Sequence, residues 1–354
     1  LYYGAIPDAA LPVAPAGQPL PDENQVISRI LLASCNDEEK ESPALAQIAR
    51  EDADLFLMVG DNVYGDRQGR DYVNNDPDLM ELRESFEELA GRAEFQAVRA
   101  ALPMMVAWDD HDYGVNDGGG TFVFRTLAER IHERFWGLQD GEAGQHEGTY
   151  YAKQFGPDGQ RVQVIMLDTR SFRSDLTPTD AWGTAGKERY VPAADGTAQD
   201  MLGEAQWQWL ADQLAKPADI RFIASSIQIL PSVHGWESWN KLPAERARLF
   251  DTIADSDARG VVFLTGDRHT AFLYEDDGVL GYTAHELTAS SLNVSFAQTT
   301  SEQDTRQVGT GFPPENFGAV EIDWGGKFIT LNILDASGDV VRENRLDFAD
   351  IGVD

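Results

Sequence analysis

Cysteine is almost missing from this chain of 354 residues: Cys35 is the only one. A single thiol excludes an internal disulfide. Basic residues are few as well, 28 Lys and Arg against 60 Asp and Glu, for a formal net charge of −32. Such a surface repels nucleic acid phosphates and anionic lipid head groups, so neither is expected as a partner. The charge reads first as a solvated surface that favours solubility. It also sets a problem for any phosphate substrate, because local cations would have to reverse the field. No apolar run approaches the roughly 20 residues of a membrane-spanning helix. No repeat of solenoid period occurs. The chain opens at Leu1 without a methionine. A processed or trimmed form is therefore expected, with any signal peptide out of view.

What is present is an alternation of apolar runs and polar loops. Residues 1–25, with Pro7, Pro12, Pro15, Pro19 and Pro21, read as an extended arm. Residues 26–354 read as one domain, because the candidate site residues run from Cys35 to His269. Runs at 26–34, 55–59, 104–108, 162–168, 220–227 and 261–265 predict buried strands. Ser42-Pro43 has the chemistry of a helix start, and helical spacing continues through Leu45 and Ile48. Further helices are predicted over about 79–101, from Leu202 to Leu214 and from Pro243 to Ile253, with closing strands around Val320 and Phe328. The polar stretch 173–200 is either a lid or an insertion.

The chemistry gathers where the strands end. Cys35 follows one run, Gly60-Asp61-Asn62-Val63-Tyr64 a second, Trp108-Asp109-Asp110-His111-Asp112 a third and Gly266-Asp267-Arg268-His269 a fourth. Ligands bind outside strand C-termini in α/β sheets. A buried Asp is costly there unless it is paired or metal-bound. The same Gly-Asp dipeptide at Gly65-Asp66 and Gly338-Asp339 lacks such a strand and is given no role. Cys35 is either a small buried hydrophobe or a ligand. Beside Asp61, Tyr64 and His269 it would complete a thiolate, carboxylate, phenolate and imidazole set suited to Fe³⁺, with Zn²⁺ also compatible. Asp110, Asp267 and a bridging Asp61 would form an all-oxygen site for Ca²⁺, Mg²⁺ or Mn²⁺. Two such ions form a clamp for phosphoryl transfer, in which a metal-bound hydroxide attacks phosphorus. Their charge also answers the problem posed by the acidic surface. His111, next to a ligand, is the candidate to assist the leaving group. His132 is expected on a helix surface, His146 in a Gly-rich loop, and His234 at the pocket border as a substrate-binding residue. Arg170 follows another strand and either binds substrate phosphate or pairs with an acidic loop. Gln228 and Asn293 follow late strands and are weaker candidates to line the site; His285 has little claim.

These segments together resemble the PhoD-type alkaline phosphatases, a branch of the calcineurin-like metallophosphoesterases. The resemblance rests on Ala33-Ser34-Cys35-Asn36, Val59 to Asp66, Trp108 to Asp117, Leu167-Asp168-Thr169-Arg170, Leu202 to Trp207, Pro243 to Arg246 and Leu264 to His269, in order over roughly 27–295. It implies an α/β four-layer α-β-β-α sandwich with metals at the strand C-terminal ends. It implies Fe³⁺ on Cys35, Asp61, Tyr64 and His269, and Ca²⁺ on Asp61, Asp110 and Asp267, with Asp109 as an additional ligand candidate. It further implies a periplasmic or secreted enzyme acting on small phosphate esters, as a phosphomonoesterase and phosphodiesterase. The immunoglobulin-like domain that precedes many such enzymes is expected to be missing. A phospholipase or phosphotriester hydrolase would use the same metals. A non-catalytic metal- or phosphate-binding protein is disfavoured by His111 beside a full ligand set. The residues say nothing of oligomeric state.

Overall fold

The structure is a computed structural model that describes residues 6–66, 77–184, 187–296 and 301–353. The first half of the chain forms strands β1 (Arg29–Ala33), β2 (Leu55–Val59), β3 (Met104–Ala107), β4 (Tyr151–Phe155) and β5 (Val162–Met166). A two-stranded ribbon follows, β6 (Thr177–Pro178) with β7 (Tyr190–Val191). The second half supplies β8 (Ile220–Ser225), β9 (Val261–Thr265), β10 (Phe272–Asp276), β11 (Ala284–Thr288), β12 (Asn316–Asp323), β13 (Phe328–Asp335) and β14 (Val340–Asp347). Helices are α1 (Pro43–Ile48), α2 (Met80–Gly91), α3 (Ala93–Ala101), α4 (Asp110–Tyr113), α5 (Arg125–Trp136), α6 (Gly203–Leu214) and α7 (Pro243–Asp255). None of the described helices is long and apolar enough to cross a membrane.

Two mixed six-stranded sheets result, ordered β14-β13-β12-β1-β2-β3 and β10-β11-β9-β8-β5-β4. Within the first, β1, β2 and β3 run parallel. Within the second, β5, β8, β9 and β11 run parallel. Most residues of these strands are apolar on both faces because both faces are covered, β11 with His285 and Glu286 being the chief exception. Their alternate residues enter different cores, as the two-residue strand period requires. Ile30, Leu32, Leu57 and Val59 join Val164, Met166, Phe222 and Leu264 in a core shared by the two sheets. Leu31, Ala33, Phe56 and Met58 pack with α1, α2, α3 and α5. Ile165, Ile223 and Phe263 pack with α6 and α7.

The predicted strands are all found; β2 and β9 match their apolar runs, and β1, β3, β5 and β8 are a little shorter than theirs. The single helix predicted over about 79–101 is two helices, broken at Arg92, whose ψ of 129° is extended. Ser42 precedes α1 but makes no side-chain cap hydrogen bond. The arm is tied down rather than free. Leu11 is buried, Ala14 donates to the Phe135 carbonyl and Gln18 to that of Arg99.

Candidate metal centre

Each parallel strand of the two sheets delivers its next residues to one common edge. The chain turns sharply there. Cys35, Asp61, Asp267 and His269 have φ values of +60°, +49°, +65° and +53°. Left-handed backbone in non-glycine residues costs about 1–3 kcal/mol each, and it persists where the surroundings hold it for function. The sheets also approach closely at this edge. A Cβ on Gly266 would stand 2.5 Å from Ser34 Oγ and 3.0 Å from the Val59 carbonyl oxygen. Glycine at that point lets the end of β9 reach the ends of β1 and β2.

The Cys35 Sγ, a carboxylate oxygen of Asp61 and a ring nitrogen of His269 lie within 4.8 Å of one another. The Cys35 thiol is 3.4 Å from Asp61 Oδ2 and 3.2 Å from Ser290 Oγ, and the Tyr64 hydroxyl is 3.2 Å from Asp61 Oδ2. His269 Nδ1 donates to the Val294 carbonyl at 2.8 Å, which leaves Nε2 to face the cluster. A backbone carbonyl on one ring nitrogen is the usual device for aiming the other at a metal.

Asp61, Asp110 and His111 form a second such group. Asp110 opens α4, where Asp109 caps the helix and accepts from the N3 backbone. His111 Nδ1 sits 2.5 Å from Asp66 Oδ1, and its Nε2 is 4.0 Å from Asp110 Oδ1. Burial alone would lower the His111 pKa, but Asp110 and Asp66 beside it raise it to about 10. Both carboxylates thus favour the imidazolium, the form able to give a proton.

A third group joins Asp110, Asp117 and Glu237. Asp117 donates its backbone N–H to Asp110 Oδ2 at 2.6 Å. Arg170 is fully buried, with Nε 2.6 Å from Asp109 Oδ1, Nη1 3.2 Å from the Gly118 carbonyl and Nη2 2.7 Å from Glu237 Oε2. Arg173 reaches the same Glu237 at 2.9 Å. Of the two roles open to Arg170, the ion pair is thus observed. His234 is buried, with Nε2 3.1 Å from Gln228 Oε1 and Nδ1 accepting the Trp236 N–H at 3.2 Å. Both its nitrogens are therefore engaged by protein. Asn293 holds Asp37 through its side-chain oxygen at 2.7 Å.

The electrostatics test whether cations fit. Burial, then repulsion among Asp110, Asp109, Asp112 and Asp267, drives the Asp61 carboxyl well above its usual range. Burial and the charges of Glu237 and Asp110 raise Asp267 to about 7. Burial raises the Cys35 thiol and the Tyr64 phenol, and lowers His269 to about 3. Asp61 Oδ1, Asp109 Oδ2 and Asp110 Oδ1 are buried without a hydrogen-bond partner among the described residues. Buried carboxylate oxygens in native proteins are paired or metal-bound, because desolvating one alone costs several kcal/mol. Sulfur and nitrogen donors beside Asp61, and carboxylate oxygens with the His111 ring around Asp110, are a donor set that fits metal cations.

Cys35, Asp61, Tyr64, Asp110, His111 and His269 thus come together. Asp267 is in none of the three tight groups, although its charge acts on Cys35, Asp61 and Asp109. Asp66, given no role in the sequence, is buried against His111; its signal was the second Gly-Asp pair in the loop that carries Asp61. Asp117 and Glu237 were not expected either. Asp117 lies in the Gly-rich loop after α4, and nothing local marks Glu237. His132, expected on a surface, is fully buried among aromatic rings.

Relatives carry the same framework. "Alkaline phosphatase D" of Bacillus subtilis (strain 168) is 26% identical over 321 residues, covering 80% of this chain and 50% of that protein. The chain therefore spans about half the length of this curated relative. A solved structure of PhoD superposes with a TM-score of 0.70 at 18% identity, over 95% of this chain and 70% of the other. The purple acid phosphatase PPD1 from yellow lupin (Lupinus luteus) seeds gives 0.60 at 12% identity, over 95% and 56%. Both share the fold of two large mixed sheets. The sequence model of the PhoD-like phosphatases matches residues 30–118 and 132–325, the span that carries every ligand candidate above, and the chain belongs to that family.

Proposed function

We propose that this chain is a metal-dependent hydrolase of phosphate esters, a phosphomonoesterase that also accepts phosphodiesters. The observation that carries the reading is the set of partnerless, buried oxygens of Asp61 and Asp110, between the Cys35–His269 pair and a His111 braced by Asp66. Cys35, Asp61, Tyr64 and His269 would hold Fe³⁺; Asp61, Asp110 and Asp267 would hold Ca²⁺, with Zn²⁺, Mn²⁺ or Mg²⁺ as alternatives. When bound, such ions supply an activated water and neutralise phosphate oxygens. His111 would give its Nε2 proton to the leaving oxygen, while Asp66 fixes the ring through Nδ1. Arg170 and Arg173 would hold Asp109 and Glu237 in place and temper their charge. His234, the further substrate-binding candidate, has both nitrogens held by Gln228 and the Trp236 N–H, so it would act at the pocket border by positioning Gln228. We take residues 26–354 as one catalytic domain layered α-β-β-α, acting in the periplasm or outside the cell on small phosphate esters.

The test is element analysis of protein purified without chelators, with turnover of an aryl and an alkyl phosphate. Iron on thiolate and phenolate gives a visible absorption band, which Tyr64→Phe should shift or abolish. His111→Ala should retain both metals and lose about 10²–10⁴-fold in turnover of the alkyl ester, and much less with nitrophenyl phosphate. An equal loss on both esters would remove the proton-donor role. No turnover of any ester by metal-loaded protein would remove the hydrolase reading.

A further inference from the structure

Among the described residues, large exposed hydrophobic side chains include only two aromatic ones, Trp182 at 58% and Phe296 at 51%. Each connects to the metal centre, Phe296 directly and Trp182 through two hydrogen bonds. Phe296 stacks on His269, with centroids 4.3 Å and planes 26° apart. Trp182 donates through Nε1 to the Tyr190 hydroxyl at 3.2 Å, and that hydroxyl donates to Asp117 Oδ2 at 2.7 Å. Asp117 in turn belongs with Asp110 and Glu237. A lone exposed ring needs no explanation, but here both exposed rings are linked to ligand candidates of one polar site.

The charge around the site points the same way. Arg170, Arg173 and Arg268 are buried and bound to carboxylates of Asp109, Glu237 and Glu302. Arg189 differs. Its side chain is 37% exposed, and Asp117 holds it through Nη1 alone at 2.6 Å. Its Cζ lies 5.6 Å from the centre of the Trp236 ring. Nε and Nη2 have no hydrogen-bond partner among the described residues. In a chain of net charge −32, a cation with free donors one carboxylate away from Asp110 is suited to an arriving anion.

We propose that Trp182 and Phe296 form a split aromatic rim that selects phosphate esters with a flat aromatic group on the alcohol, aryl or nucleoside, while Arg189 pairs with the substrate's phosphate oxygens. A diester can set one substituent on each ring. Trp182 and Arg189 are on this account specificity residues, tied to Asp117 directly or through Tyr190. The inference rests on the phosphoester reading above. Its test uses binding without turnover, so the two can fail separately.

Titration calorimetry of the metal-loaded protein would compare methylphosphonate, benzylphosphonate and the phosphonate analogue of adenosine 5′-monophosphate. Benzylphosphonate should bind at least about 10-fold tighter than methylphosphonate, the gain of one stacking contact. Trp182→Ala or Phe296→Ala should cut that ratio at least about threefold and leave methylphosphonate unchanged, whereas Trp182→Phe should keep it. Arg189→Gln should weaken all three ligands by about 10-fold with the ratio intact, the mark of a lost phosphate contact. Tighter binding of the adenosine analogue than of benzylphosphonate supports nucleoside esters; the reverse supports aryl esters. A ratio near one in the unaltered protein, or one that neither alanine variant changes, overturns the rim. Equal metal content and melting temperature across the variants keep these readings clean.

Discussion

His132 lies among Phe86, Trp108 and Trp136, and neither ring nitrogen has a hydrogen-bond partner among the described residues. Burial is the one cause that lowers its pKa to about 3. Above pH about 6.5 the ring is neutral in the folded and the unfolded chain and has no effect on stability. Below that, only the unfolded chain takes up the proton. Stability then falls by about 1.4 kcal/mol per pH unit until the folded value is reached. His132→Leu should remove this slope. Urea unfolding at pH 7, 5.5 and 4.5 should show the gap between variant and parent shift in the variant's favour as the pH falls. A constant gap would mean that the ring is solvated or paired. His132 and Asp66 share a lesson at this scale. His132 carries a polar label yet sits in an aromatic core; Asp66 reads as an ordinary loop Asp yet braces His111. A residue type states what chemistry is available, and the neighbours decide whether it is used.

At the scale of elements, the metal centre depends on how closely strand ends approach. Gly60 has φ +98°, and a Cβ there would stand 2.4 Å from Asp109 Cβ. Gly266 meets Ser34 and Val59 across the sheet-to-sheet boundary at 3.0 Å or less. Neither the Ser34 Cβ at 2.9 Å nor the Val59 carbonyl at 3.0 Å can swing aside as the end of a long side chain can, so an added methyl must push the β9 end away from β1 and β2. Gly266→Ala should destabilise the fold by about 1–3 kcal/mol, the usual cost of overpacking. It should also lower metal content, because Asp267 and His269 move with it. Calorimetry and element analysis check both effects together. A variant with normal metal content and unchanged melting would show that the approach is looser than these distances imply. The break between α2 and α3 belongs to this scale too. The apolar spacing runs on through 79–101, and the period alone does not reveal that Arg92 turns extended.

For the whole molecule, the dominant fact is negative charge, net −32 overall, with Asp61, Asp109, Asp110 and Asp112 buried close together and the half-buried Asp267 acting on them. Surface repulsion is screened by salt, whereas buried repulsion is not. Two responses should therefore separate. Raising salt should lift the melting temperature of the metal-loaded protein modestly. Exhaustive chelation should lower it sharply, through a loss of about 2.7 kcal/mol of stability for each ion previously held at a hundred times its dissociation constant, and added salt should not restore it. Melting curves in a grid of salt and chelator read both effects. Full recovery by salt alone would place the instability on the surface rather than at the metal centre.

Strand positions, the apolar cores and most metal-ligand candidates were legible in the sequence, because burial on both faces forces continuous apolar runs and a buried Asp at a strand end needs a reason. The pairing of Cys35 with His269, 234 positions apart, was legible only through motif resemblance. Tertiary structure alone decided the rest. It brought Glu237 to Arg170 and Arg173, set Asp66 on His111 and tied Arg189 and Tyr190 to Asp117. It also linked two exposed rings to the site, Phe296 by stacking on His269 and Trp182 through Tyr190 to Asp117. Those contacts join loops with no periodic pattern, and their partners are chosen by where two sheets meet in space. Local sequence carries residue type and spacing; distance across a sheet boundary is a property of the folded chain.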